Sequence, residues 1–224
     1  MQSKFHPPLA AVILSLLAFT VLIGLGTWQL KRLEWKTNLL AEISTRMEKP
    51  PVPLPEKLDK PADWEYRRVT MAGHFLYEHE FLIKPRTLDG VSGYHMLVPF
   101  ERLSGGTVMV NRGWISDAQM SKAIRPTGTI QIEGIVQLAH TNYWTLPNDP
   151  RKNDWYWPDV KAMAATAQLK NTAPVIVTIS AAKQGVYPLA GKVELDIPND
   201  HKQYAFFWFL MAFVSQVIFF IRFR

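Results

Sequence analysis

Near the carboxyl end of the chain, His201, Tyr204, Trp208, Met211 and Ser215 recur at spacings of three and four. On a helix those spacings make one stripe. A neutral imidazole nitrogen is a suitable axial ligand for haem iron, and an apolar, aromatic-lined seam below it would accept a porphyrin. The same residues serve equally well as an anchor, with an interfacial histidine above Tyr204 and Trp208 as belt aromatics. Near the other end, Trp28 and Trp35 are seven residues apart with Arg32 between them, so all three can share a helix face. Their ordinary role is an aromatic and cationic membrane belt. A second reading has them complete a porphyrin pocket or dock a protein partner, with the Arg32 guanidinium matched to a propionate carboxylate.

Between these ends, Asn111-Arg112-Gly113-Trp114 closes a strand-like run, where glycine permits a turn that strains other residues. Either Arg112 holds the middle of the chain against the terminal helices or Trp114 fills the mouth of a barrel. His74, His79, His95 and His140 stand singly, without the close pairing that a copper or zinc site uses. No serine elbow, zinc-protease helix, phosphate loop or dinucleotide fingerprint is present, and Gly24-Leu25-Gly26 falls inside an apolar run. The expectation is a non-enzyme. The chain has no cysteine, which removes disulfides, thiolate metal sites and thioether-linked haem.

Two apolar runs must carry these side chains. Leu9 to Gly26 is uncharged and Tyr204 to Ile221 is interrupted only by Ser215 and Gln216; each contains eleven Leu, Ile, Val or Phe residues. Each such residue favours insertion by roughly 0.3–0.6 kcal/mol near the bilayer centre. Eighteen residues at about 1.5 Å rise cover about 27 Å, enough for the hydrocarbon layer. Lys4 before the first run resembles the charged start of a signal peptide, yet no small-residue cleavage site closes the run. Two spans leave both termini on one side, near Lys4, Arg222 and Arg224, with Lys31, Arg32, Lys36 and Lys202 on the other. That local count leans towards an inward-facing middle, but long domains translocate largely regardless of charge.

Leu30, Leu33, Leu40, Ile43 and Met47 continue a helical face, so the first helix extends beyond the span until the prolines from Pro50 to Pro55 stop it and form a stiff connector. From Pro61 onward the pattern is strand-like: 66–72, 80–84, 93–100, 107–111, 129–138 and 175–180. Asp89-Gly90 and Ser104-Gly105-Gly106 supply turns. Ile130, Ile132, Gly134, Val136 and Leu138 form one face, with Gln131, Glu133 and Gln137 opposite. A helix is expected over 158–169. The fold class is therefore membrane-anchored α+β, with two transmembrane helices flanking a mainly antiparallel β-barrel or sandwich that carries an inserted helix. A small-residue stripe of Ala11, Ser15, Ala18, Leu22 and Gly26 suits close helix approach. The net charge of +6 and pI near 9.5 come from dispersed residues. Membrane lipid is thus the expected partner and nucleic acid is not.

Several stretches together resemble the Surfeit-locus-one family. They are Gly26-Thr27-Trp28-Gln29-Leu30-Lys31-Arg32 with Trp35-Lys36, then Asn111-Arg112-Gly113-Trp114, then Asn199-Asp200-His201 with Tyr204-Ala205 and Trp208-Phe209. Gly93-Tyr94-His95 with Pro99-Phe100, and Asn153-Asp154-Trp155-Tyr156 with Asp159, add weaker matches. The resemblance implies an assembly factor for haem-copper cytochrome c oxidase that assists insertion of haem a into the catalytic subunit. His201 is then the iron ligand, and Tyr204, Trp208, Arg32 and Trp28 the cofactor surround. Trp35, Asn111, Arg112, Gly113 and Trp114 have partner-binding or structural roles. Haem a synthase is a further expected partner. A scaffold that stabilises the oxidase subunit without touching haem is the alternative, and a membrane-anchored hydrolase a distant third. The compact length and the lack of a transit-like segment suggest a bacterial type. The expected layout is a cytoplasmic 1–8, a span over 9–28, a helical extension over 29–49, an outer domain over 50–203, a span over 204–221 and a cytoplasmic 222–224, in the cytoplasmic (inner) membrane with the domain periplasmic.

Overall fold

The structure is a computed structural model that describes residues 7–141, 143–180, 186–190 and 199–224; Lys4 lies outside them. The chain divides into two compact units, one built from the terminal segments and the other from Ser44–Glu194.

Helix α1 runs unbroken over Leu9–Glu48, about 60 Å at 1.5 Å per residue. Pro7 and Pro8 precede its start, where a missing amide donor costs nothing, and Pro50 and Pro51 follow its end. Span and extension are therefore one element. Its partner in the first unit is α3, His201–Arg222. Both are long and apolar enough to cross a membrane, and only 6% and 11% of their apolar windows are buried within the protein. A core helix of a water-soluble protein would be mostly covered, so this exposure suggests membrane anchoring.

Among its described residues the second unit contains seven strands: β1 Val52–Pro53, β2 Arg68–Phe75, β3 Phe81–Leu88, β4 Val91–Arg102, β5 Thr107–Ile115, β6 Ile130–Gln137 and β7 Thr172–Ile179. Strand β2 pairs with β6, β6 with β7, β7 with β5, β5 with β4, and β4 with β2 again. That ring closes a five-stranded barrel and removes its free edges. Twelve residues let β4 serve two neighbours on one edge, β3 along Val91–Leu97 and β2 at Phe100–Arg102. Pairing is mainly antiparallel, with β5–β7 and β1–β2 parallel. All six expected strands form. The proline connector does more than space the domains, because β1 pairs beside β2 and buries Leu54, whose amide donates to the Thr70 carbonyl.

Ile132 and Val136 of β6 enter the barrel core with Met96, Val98, Phe100, Val108, Val110 and Val177, while Ile130 and Leu138 pack at its margin. Asp89 and Gly90 take positive φ values of 49° and 78°, the two-residue turn their types favour between β3 and β4. Outside the barrel, Phe81, Ile83, Leu97, Met109 and Ile176 form a second layer with Trp155, Met163 and Ala167. The inserted helix α2 spans Val160–Thr166, shorter than 158–169. The Asp159 carboxylate accepts from the Ala162 amide and starts it, and Gln168 at φ 53° lies past its end.

Trp155 is fully buried, packs edge-on to Phe81 at 5.3 Å and donates its indole N–H to Asn153 Oδ1 at 2.7 Å. Trp155→Ala is expected to destabilise the domain by about 3–5 kcal/mol. Urea unfolding of the full chain in detergent, followed by circular dichroism, would show a lower midpoint; an unchanged midpoint would contradict this packing.

Candidate functional site

Two polar pairs join the helices of the first unit. Near the apolar span's exit, Gln29 Oε1 lies 2.6 Å from His201 Nδ1. Toward the opposite end of the helices, Ser15 Oγ meets Gln216 Oε1 at 3.2 Å, and Gln216 Nε2 donates to the Ser15 carbonyl at 3.3 Å. Rising numbers on α1 meet falling numbers on α3, so the pair is antiparallel. Between these contacts the Phe209 ring packs against the α1 backbone: Gly26 is buried, and a Cβ there would lie 2.5 Å from that ring.

The inward stripe of α3 differs from the expected one. Ala205 and Ala212 are buried, and His201, Trp208 and Ser215 are partly covered, whereas Tyr204 and Met211 are 55% and 44% exposed. Spacings of three and four from His201 admit either stripe. The small alanines allow close contact, and the larger Tyr204 and Met211 turn outward. On α1, Ala11, Ser15, Leu22 and Gly26 face the seam, but Ala18 is exposed.

An amide oxygen only accepts, so the Nδ1–H tautomer is the one compatible with the 2.6 Å Gln29 contact. In the neutral ring this leaves a lone pair on Nε2. That atom is buried and has no hydrogen-bond partner among the described residues. An orphaned buried polar atom costs about 1–3 kcal/mol, and metal-binding histidines are commonly held in this way through the other ring nitrogen. The arrangement fits a haem-iron donor.

Helix rotation identifies one flank around that nitrogen. If Gln29 and His201 point at each other, then at about 100° per residue Gly26 is turned by about +60° and Phe209 by about +80°. In an antiparallel pair, rotations of one sign fall on the same side, and the Phe209–Gly26 contact occupies the positive side. Arg32, Trp28 and Trp35 turn by about −60°, −100° and −120°, and Trp208 and Tyr204 by about −20° and −60°. The expected cofactor residues therefore share the other flank. There the Arg32 guanidinium carbon lies 4.1 Å from the Trp35 ring centroid, a cation–π contact. Trp28 is 55% exposed. Sequence reasoning did not select Gln29; the signal was an amide side chain within one helical turn of the end of the apolar run.

In the second unit, Asn111-Arg112-Gly113-Trp114 lies within β5 rather than at its end, because the strand continues to Ile115. Asn111 Oδ1 accepts from the Gly113 amide at 3.0 Å. Gly113 has φ +124°, and a Cβ there would lie 2.0 Å from the Leu189 carbonyl oxygen. Trp114 exchanges backbone hydrogen bonds with Leu189 and donates Nε1–H to the Arg86 carbonyl at 3.0 Å. Arg112 is buried, lies 5.1 and 5.2 Å from the Phe75 and Tyr77 rings, and donates to the Ile124 carbonyl. Burial lowers its guanidinium pKa. Each residue of the motif thus takes part in the barrel's own packing or hydrogen bonding.

No cluster of three potential metal-ligating His, Cys, Asp or Glu side chains occurs among the described residues. His74 pairs with Glu101 at 3.0 Å and His140 with Glu65 at 2.6 Å. His95 sits on β4, where burial, reinforced by the Arg86 charge, pushes its imidazole down to about 4.

A closed barrel plus two antiparallel helices of membrane-spanning length defines a membrane-anchored barrel protein whose most distinctive polar feature is the Gln29–His201 contact. The model of the SURF1 family matches residues 16–213, and the chain belongs to that family. It is 32% identical over 213 residues to a SURF1-like protein of Monosiga brevicollis, covering 87% of this chain and 80% of that one. It is 32% identical over 223 residues to Surfeit locus protein 1 of Mus musculus, covering 89% and 71%. With cytochrome oxidase assembly protein SHY1 of Saccharomyces cerevisiae it shares 35% identity over 159 residues, covering 64% and 40%.

The folded state holds His95 neutral, with a pKa below the ordinary 6.5. Its stabilisation is complete above pH 6.5 and is lost as pH falls towards 4, because the unfolded chain takes up the proton first. The full effect is on the order of 3 kcal/mol. Unfolding midpoints of the wild type are expected to fall across that window, and those of His95→Gln to fall less; equal slopes would contradict the assignment.

Proposed function

We propose that this protein is an assembly factor for haem-copper cytochrome c oxidase, assisting maturation of the catalytic subunit by carrying haem a at the helix pair. Membership of the SURF1 family and the name of the yeast relative support the assembly role. The observation that carries the haem reading is His201, with Nδ1 engaged by Gln29 and Nε2 buried and unpartnered. Haem a is cargo here, and its iron takes an imidazole nitrogen as axial ligand. His201 holds that cargo; Trp208, Tyr204 and Trp28 cover its apolar faces; Arg32 donates to a propionate at the membrane exit, where the charge remains near water. The Gly26–Phe209 contact closes the opposite flank, so cargo enters from the side bearing the aromatics.

The setting is a bacterial cytoplasmic membrane, with spans over 9–28 and 204–221, both termini inside and the barrel outside. The protein performs no catalysis of its own. Haem a synthase supplies the cargo, and the oxidase catalytic subunit receives it.

Purification of the full chain from cells that make haem a, followed by an absorption spectrum, tests this reading. A Soret band is expected in the wild type and a loss of at least about tenfold in His201→Ala, in line with removal of an iron ligand. A colourless wild type that still copurifies with the oxidase subunit would instead establish a scaffold.

A further inference from the structure

We infer that Gln29 is a positioning residue that fixes the ring of His201 as the Nδ1–H tautomer and so presents Nε2 as a donor to a metal centre. The inference deepens the haem-carrier reading and assigns a task to a residue on the other helix.

Gln29 is only 9% exposed on a helix whose surroundings are largely apolar. An amide buried at the span's exit is shielded from water and needs a protein partner. Its Oε1 has one in the described structure, His201 Nδ1 at 2.6 Å. An oxygen that only accepts selects the tautomer in which the facing nitrogen bears hydrogen. The consequence appears on the far side of the ring, where Nε2 is buried without a partner.

Gln29 also orients the ring in space. It ties His201, the first residue of α3, to α1 beside Gly26, where Phe209 fills the positive flank. His201 would otherwise be free to choose among rotamers at a helix terminus. With Nδ1 tethered, the ring cannot rotate to bring Nδ1 to a ligand without breaking the contact. The pairing therefore specifies which nitrogen is offered and which remains engaged. This is the division of labour found when the second nitrogen of a metal-bound histidine is held by an oxygen acceptor.

The test needs no haem in its first arm. The full chain, labelled with nitrogen-15 at histidine and reconstituted in lipid nanodiscs, is examined by imidazole nitrogen NMR, with His201 assigned from the signals lost in His201→Ala. The wild type is expected to show protonated Nδ1 and unprotonated Nε2. Gln29→Leu, which keeps similar bulk but has no acceptor, is expected to shift His201 towards the Nε2–H tautomer, and Gln29→Glu, which keeps an acceptor, to retain Nδ1–H. Unchanged helical circular dichroism shows that the variants remain folded. A wild-type His201 carrying its proton on Nε2, or a tautomer indifferent to Gln29→Leu, would overturn the inference.

A second arm titrates the same samples with iron protoporphyrin. Affinity is expected to fall by about 10–100-fold in Gln29→Leu, the usual range for loss of a ligand's outer partner, and to recover largely in Gln29→Glu. Equal porphyrin affinity in wild type and Gln29→Leu would overturn the link to ligand presentation. If the wild type binds no porphyrin but shows the expected tautomer behaviour, haem carriage fails and the role of Gln29 in fixing His201 stands.

Discussion

Polar side chains buried between packed helices have to satisfy one another, because water does not reach them there and lipid cannot hydrogen-bond to them. That constraint organises the terminal unit. Gln29 with His201 and Ser15 with Gln216 are polar contacts across the seam among the described residues, fourteen residues apart on α1 and fifteen on α3. At about 1.5 Å per residue these separations correspond to about 21 and 22 Å, so the contacts fit one antiparallel register. Slipping either helix by one turn would separate both pairs. Each interhelical hydrogen bond of this kind contributes modestly, about 0.6–2 kcal/mol, and close packing at Gly26, Ala205 and Ala212 adds dispersion along the seam. The register that stabilises the helices also determines the face that His201 presents.

The barrel solves a different problem. Its five-stranded ring leaves no long unpaired edge in the main circuit, and β1 and β3 extend pairing from β2 and β4. The Asn111-Arg112-Gly113-Trp114 segment concentrates several demands on β5. It must admit the Leu189 backbone, cover the barrel with an indole and anchor the Ile124 loop through a buried guanidinium. A motif of this density can resemble a binding site in sequence because its residue types are polar and aromatic. In the structure those types answer to packing and hydrogen bonding.

Much of this was legible in the residue pattern. The strands could be located because each alternates or ends at glycine, proline or aspartate, and Ile130 to Leu138 displays its buried face directly. The parallel β5–β7 pairing could not be read, since periodicity reports exposure and not which distant strand lies alongside. The register of α3 was ambiguous for a related reason: from His201, steps of three and four lead equally to Tyr204 or to Ala205. The choice depended on which side chain let α1 approach. Gln29 lies within a family motif, but its role needs the partner helix, 172 residues away along the chain. His201 stood out because it is a titratable residue at the head of an apolar helix.

The absence of native cysteine allows the central pairing to be measured directly. In the full chain reconstituted in membranes, Ser15→Cys with Gln216→Cys can be treated with a short bifunctional thiol reagent, alongside Leu16→Cys with Gln216→Cys as a control, since Leu16 is 58% exposed. The described register predicts efficient cross-linking within one chain for the first pair and little for the second. Equal cross-linking of both pairs, or none in the first, would contradict the helix pairing on which the presentation of His201 rests.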